Sequence, residues 1–299
     1  MDKVKVVLFL VVILGIIIYI FSSGVIGSLG RQFQALTRVS SSSNSLVVRS
    51  ETSGKVATAG QVTSTTPVAT TTINPADIPP GFTVSQLSPY FHKIRFSGIS
   101  AGGPGYYGVI TIYSNLNQGE TVDVTGWQIK SNKGGEYIPQ AVALYDPSGL
   151  APASDIVLQT GQYVYMYSSA GPFNLRLNKC IGYIGNSNHF TPPLPNYCPS
   201  PDRSAISTFT GVCQNFIQSI GSCQTPDLNN PQIPNNDQTC RDYIANNFNY
   251  RSCFNAHESD PDFFLNQWWI WTGASPSDPY HDVVDLLDKH GLLVDIYTY

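Results

Sequence analysis

Charge is what this chain has least of. Lys, Arg, Asp and Glu make up 12 % of 299 residues, about half of the usual ~25 %. Methionine is scarce, with two residues. Sustained charged heptads are missing, which excludes a coiled coil. A hydrophobic share of 42 % excludes a chain disordered throughout. From Pro80 onward, 10 Lys/Arg face 17 Asp/Glu. A phosphate-binding face needs clustered cations, so nucleic acid is not an expected partner. No Asn-x-Ser/Thr sequon occurs and no cysteine precedes Cys180. The missing sequon leans toward a bacterial envelope. No Cys-x-x-Cys pair exists, which argues against a zinc or redox motif.

One apolar run is long enough to matter. Val6 to Phe21 holds neither charge nor proline, and Val25 and Ile26 extend it. A bilayer core takes about 20 residues, whereas a cleavable signal has a core of about 7–15. A single uncleaved transmembrane signal anchor over 1–30 is expected. Lys3 and Lys5 at one end balance Arg31 and Arg38 at the other, so positive-inside counting is close to a tie. The cysteines break it. Cys180, Cys198, Cys213, Cys223, Cys240 and Cys253 form an even, clustered set, the disulfide pattern of an oxidising compartment. The expected topology has a cytosolic amino terminus and an extracytoplasmic carboxy-terminal part.

Ser40 to Ile78 contains 16 Ser/Thr in 39 residues and no aromatic residue. Such a stretch cannot bury enough apolar area to offset its ordering entropy, and 31–79 reads as a linker. From Phe91 the pattern alternates with period two. His92 to Phe96, Val109 to Tyr113, Val122 to Thr125, Tyr137 to Tyr145 and Tyr163 to Tyr167 are the first runs. Trp268 to Trp271, Val283 to Leu287 and Leu292 to Tyr297 follow. Turn signals separate them, which predicts an all-β antiparallel sandwich or barrel. The β domain is expected over 80–177 and 267–299. Between them, 178–266 is rich in Asn, Pro and Cys and carries two short helical stripes. It reads as a disulfide-rich, partly helical insertion. Six cysteines leave 15 pairings open. Nearest-neighbour pairing, as in Cys240 with Cys253, is the default.

These runs resemble the lamin tail domain family. Val109 to Asn115 is similar to its opening strand, and Val122 to Ile129 to its Gly-Trp stretch, here Gly126-Trp127. Leu158 to Tyr165, with Gly161, is similar to its leucine, glycine, tyrosine strand. Asp282 to Tyr299 is similar to its closing hairpin, with a turn at Asp288 to Gly291. The acidic residue usual in the opening strand is missing, and the insertion is foreign to lamins themselves. The resemblance implies an immunoglobulin-like sandwich in membrane-tethered bacterial proteins, and no catalysis.

Three groups of residues bear on chemistry. His257, Glu258, Asp260 and Asp262 could converge on a metal or serve as an acid–base site. Ca²⁺ could collect Asp260 and Asp262, although an EF-hand's glycine and twelfth-position carboxylate are missing. A solvated turn is the plainer account, and no metal or other cofactor is assigned. Gly98-Ile99-Ser100-Ala101-Gly102 matches the letters of a nucleophile elbow, but Gly103, Pro104 and Gly105 follow where a helix is required. It reads as a loop. Trp268, Trp269 and Trp271 with Tyr280 could make a sugar platform. The alternative puts Trp269 and Trp271 in the core, with Trp268 under the insertion. Trp127 is assigned to the core on the same face as Val122 and Val124, through a bulge at Gly126.

The sequence thus points to a single-pass envelope protein with a non-catalytic binding or adhesion module. Its partners are the membrane and an unknown protein or polysaccharide ligand. One rival is a metal-dependent hydrolase built on His257 and its neighbouring carboxylates. The other is a pilin-like filament subunit.

Overall fold

The strand from Val109 to Ser114 alternates half-buried and buried residues without a break. That alternation is what a pleated strand with one covered face requires. The computed structural model describes residues 73–299, except 104, 234–236, 275, 276 and 279. It is mostly β. In chain order the strands are β1 (Ile94–Ser100), β2 (Val109–Ser114), β3 (Val122–Asp123), β4 (Gln128–Ser131) and β5 (Gly134–Tyr137). Next come β6 (Ala141–Val142), β7 (Ala153–Ser154), β8 (Val157–Leu158), β9 (Tyr163–Tyr167) and β10 (Leu175–Asn178). The last are β11 (Phe264–Trp271), β12 (Val283–Leu287) and β13 (Leu293–Thr298).

A seven-stranded sheet runs β1-β2-β9-β11-β10-β6-β7. A four-stranded sheet runs β13-β12-β4-β5, and β3 pairs with β8. The purely antiparallel arrangement expected from sequence needs correction. β11 lies parallel to β9, and β6 parallel to β10. The cause is topological. β11 returns from the insertion and enters the sheet between β9 and β10, antiparallel to β10. It must then run parallel to β9.

Both large sheets and the β3–β8 pair contribute to the largest core. Ile94, Ile112, Val164 and Ile270 come from one sheet, and Ile129, Val284, Leu286 and Val294 from the other. Trp127 is buried among them with Val122 and Val124. A turn delivers it there, rather than the bulge expected. The Trp127 N–H donates to the Val124 carbonyl at 3.1 Å, and Gly126 has φ +77°. A tight turn needs positive φ at its third position, and glycine adopts it without strain.

The tryptophans of β11 alternate as expected but face the opposite way. Trp268 belongs to the inter-sheet core. Trp269 and Trp271 face a second cluster with Phe190 and Leu194 of the insertion. Pairing with β9 explains this. Val164 and Met166 sit opposite Trp268 and Ile270, while Tyr165 and Tyr167 sit opposite Trp269 and Trp271. Aliphatic residues thus share the inner face and aromatic residues the outer.

The insertion between β10 and β11 contains helices α1 (Ile181–Ser187), α2 (Gly211–Ser219), α3 (Gln238–Asn247) and α4 (Tyr250–His257). Thr210 caps α2 and Asp237 caps α3, each accepting from the backbone N–H of a cysteine three residues on. Cys213 and Cys240 are bonded to each other. The other bridges are Cys180–Cys253 and Cys198–Cys223, and no described cysteine is free. Nearest-neighbour pairing is therefore wrong, including Cys240 with Cys253. Helix α3 faces Cys240 into a small core with Ile217 and Phe248. Helix α4 faces Cys253 toward Cys180 and Tyr183.

At the amino end, Ile73 and Ile78 pack against Leu87, Phe91 and Leu293, so the end of the expected linker joins the folded part. The run from Val6 to Phe21 and its topology lie outside the described residues. Among the described residues, no helix is long and apolar enough to cross a membrane.

Candidate functional site

Helix α4 begins at Asn249, whose side chain accepts from the Ser252 N–H at 2.9 Å. It delivers His257 at its last turn. The His257 Nδ1 lies 3.0 Å from Asp260 Oδ2. The Lys179 Nζ, just beyond β10, donates to the same carboxylate at 2.9 Å and also pairs with Asp262. Lys179 holds the Asp260 carboxyl below its usual range, with His257 adding to the effect. Asp262 and then Asp260 push the Lys179 ammonium up. Glu258 is not part of the cluster. It is exposed, and its backbone N–H closes the helix on the Phe254 carbonyl at 2.8 Å.

A cavity of about 310 Å³ adjoins this network, lined by Tyr183, Ser200, Asp202, Asn247 and His257 among others. Of the four residues singled out in sequence, His257 alone lines it. The two aspartates face a lysine ammonium, which stands where a bound cation would have to stand. Lys179 was not legible as a partner, because it precedes Asp260 by 81 positions with the whole insertion between. A second acidic and sulfur group, Cys213, Asp237 and Cys240, is close enough to hold a metal. Its two sulfurs are bonded to each other, so neither is a thiolate ligand.

Ser100 ends β1 and no helix follows it. A Cβ on Gly102 would come within 2.5 Å of the Gly108 N. The two backbone stretches approach closely, and a cleft of about 580 Å³ is lined by Ala101, Gly103, Tyr106 and Tyr107 among others.

The outer face of the seven-stranded sheet is the other conspicuous surface. Register places Arg95, Tyr113, Tyr163 and Gln267 in one row across four strands. Thr111, Tyr165 and Trp269 form the next row. Val109, Tyr167 and Trp271 form a third. The rings meet at centroid distances of 4.9 Å for Tyr113–Tyr163, 6.0 Å for Tyr163–Tyr165 and 6.1 Å for Tyr165–Trp269. Phe190 covers the third row through Trp271 at 4.9 Å, and Tyr167 and Trp271 are buried. The first two rows stay half-buried or exposed. Alternating tyrosines in Tyr163 to Tyr167 were the available sequence signal. The partner rows on β1, β2 and β11 depend on strand order, which sequence did not give.

No protein-family model, no curated protein and no solved structure matches the chain.

Proposed function

We propose that this chain is a membrane-anchored binding module, displayed outside the cytoplasm and without catalytic activity. Its β part is proposed to be a lamin-tail-like immunoglobulin sandwich. The buried Trp127 after Gly126, and the antiparallel closing hairpin of β12 and β13, agree with that proposal. The observation that carries the functional reading is the set of three disulfides, which consumes all six cysteines. Such bridges persist in oxidising compartments. An apolar run at the other end of the same chain then serves as a single-pass anchor.

A hydrolase built on His257 is the second reading, favoured by the cavity that His257 lines. The ion pairs of Lys179 with Asp260 and Asp262 weigh against it. They engage both carboxylates with an ammonium group, and the pairing keeps Asp260 below its usual range, which does not suit a general acid.

The test is protease treatment of spheroplasts carrying the full chain. Trypsin has sites at Arg49 and Lys55, between the apolar run and the folded part. Release of the folded part supports display. Its protection until detergent is added contradicts it.

A further inference from the structure

We propose that the two open rows on the outer face of the seven-stranded sheet bind an acidic polysaccharide. The inference rests on the binding-module reading and names its ligand class. Four half-buried aromatic side chains, Tyr113, Tyr163, Tyr165 and Trp269, lie next to one another with ring centroids 4.9–6.1 Å apart. Such separations match the size of a pyranose ring. The C–H face of a sugar stacks on an aromatic face, while the phenol edges supply polar contacts. Hydrogen-bonding groups flank the rings. Thr111 shares a row with Tyr165, and Gln267 with Tyr163. The Gln267 Oε1 accepts from the Trp269 Nε1 at 3.1 Å, which leaves the Gln267 amide N–H donors for a ligand.

Charge decides the class. The folded part has more acid than base, yet neither row contains Asp or Glu. The one ionised side chain there is Arg95, exposed, with its guanidinium 5.6 Å over the Tyr113 ring. Among the described residues, no carboxylate lies within salt-bridge distance of it, although its charge acts on the more distant Asp295 carboxyl. A guanidinium in a planar fork matches a carboxylate in two parallel hydrogen bonds, so a uronate carboxylate is the complement. One cation is too few for a phosphate backbone. The two open rows contain no Leu, Ile or Val between Arg95 and Trp269, unlike the apolar centre of a protein interface. The strip also continues toward the cleft lined by Ala101, Gly103 and Tyr106. Tyr107 meets Tyr167 edge to face at 5.7 Å, and Tyr106 is 81 % exposed. A polymer has room to extend there beyond the strip.

The experiment is calorimetric titration of the full chain, in detergent, with polygalacturonate and with its fully methyl-esterified form. Saturable binding of polygalacturonate is expected. The Tyr163→Ala/Tyr165→Ala double variant should bind at least about tenfold more weakly, the loss of roughly one stacking contact. Arg95→Gln should bind several-fold more weakly, and so should wild type with the ester. Arg95 is exposed, so this variant keeps its fold even if the tyrosine variant does not. Failure to bind polygalacturonate, alginate and hyaluronate would overturn the proposal, as would binding by Arg95→Gln and by the ester that equals wild type with the acid. Neither failure bears on display, which the protease test measures separately.

Discussion

Asp295 is a carboxylate that the fold buries at some cost. It is 8 % exposed. Its Oδ2 accepts from the Phe96 N–H at 2.8 Å, and His92 Nε2 lies 3.8 Å from its other oxygen. Burial pushes its carboxyl up all the same, outweighing the backbone hydrogen bonds and the nearby His92 and Arg95 side chains. The folded state therefore holds this proton more tightly than the unfolded state. Stability is greatest below the unfolded value and is lost as pH rises through the folded one. Asp295→Asn keeps an acceptor for the Phe96 N–H and removes the charge. Its melting temperature should exceed wild type at pH 7, with the gap closing below about pH 3, where both states of the wild type are protonated. A gap that is the same at both pH values would contradict this. Trp127→Ala should cost about 3–5 kcal/mol in chemical denaturation, as large core truncations do. An unchanged midpoint would remove Trp127 from the core. The burial of Trp127 was legible because the Gly-Trp step sits between two alternating runs. The turn that delivers it was not, since a bulge and a turn at Gly126 place the ring alike.

At the scale of elements, the insertion is a second structure fastened into the first. Cys180 lies just past β10 and Cys253 in α4, 73 positions apart. Closing a loop of that length is worth about 4 kcal/mol in the chain-entropy model. The Cys213–Cys240 bridge spans 27 positions and staples a small core around Ile217, Ile233 and Ile244, whereas Cys198–Cys223 spans 25 and packs with Tyr183, Cys180 and Cys253. Reduction should release amide protection in α2 and α3 first in hydrogen exchange, while β2 and β9 stay protected. Loss of protection in all four at one rate would mean that sheet and insertion unfold as one unit. The cysteine-rich stretch was visible in composition. Its pairing was not, because adjacency in sequence says nothing about which helix faces carry the sulfurs. The same holds for β11. Its alternation was plain, but its slot between β9 and β10 decides that Trp268, and not Trp269, faces the inter-sheet core.

Taken whole, the molecule keeps its carboxylates out of its open aromatic rows. Its densest polar cluster, His257 with Asp260 and Asp262, is closed on Lys179. The aromatic rows of the sheet carry a single cation. That division suits a surface built for contact more than a centre built for proton transfer, which needs groups poised near the working pH. It does not itself say on which side of a membrane the surface lies. The disulfides are the observation that bears on that side, because the charges flanking Val6 to Phe21 nearly balance, and display outside the cytoplasm is the proposal they support. Protease accessibility in spheroplasts carrying the full chain therefore tests the central claim most directly. Trypsin should remove the disulfide-bonded part and leave a short membrane-bound stub ending between Arg31 and Lys55. A chain that stays intact until the membrane is dissolved would contradict display outside the cytoplasm.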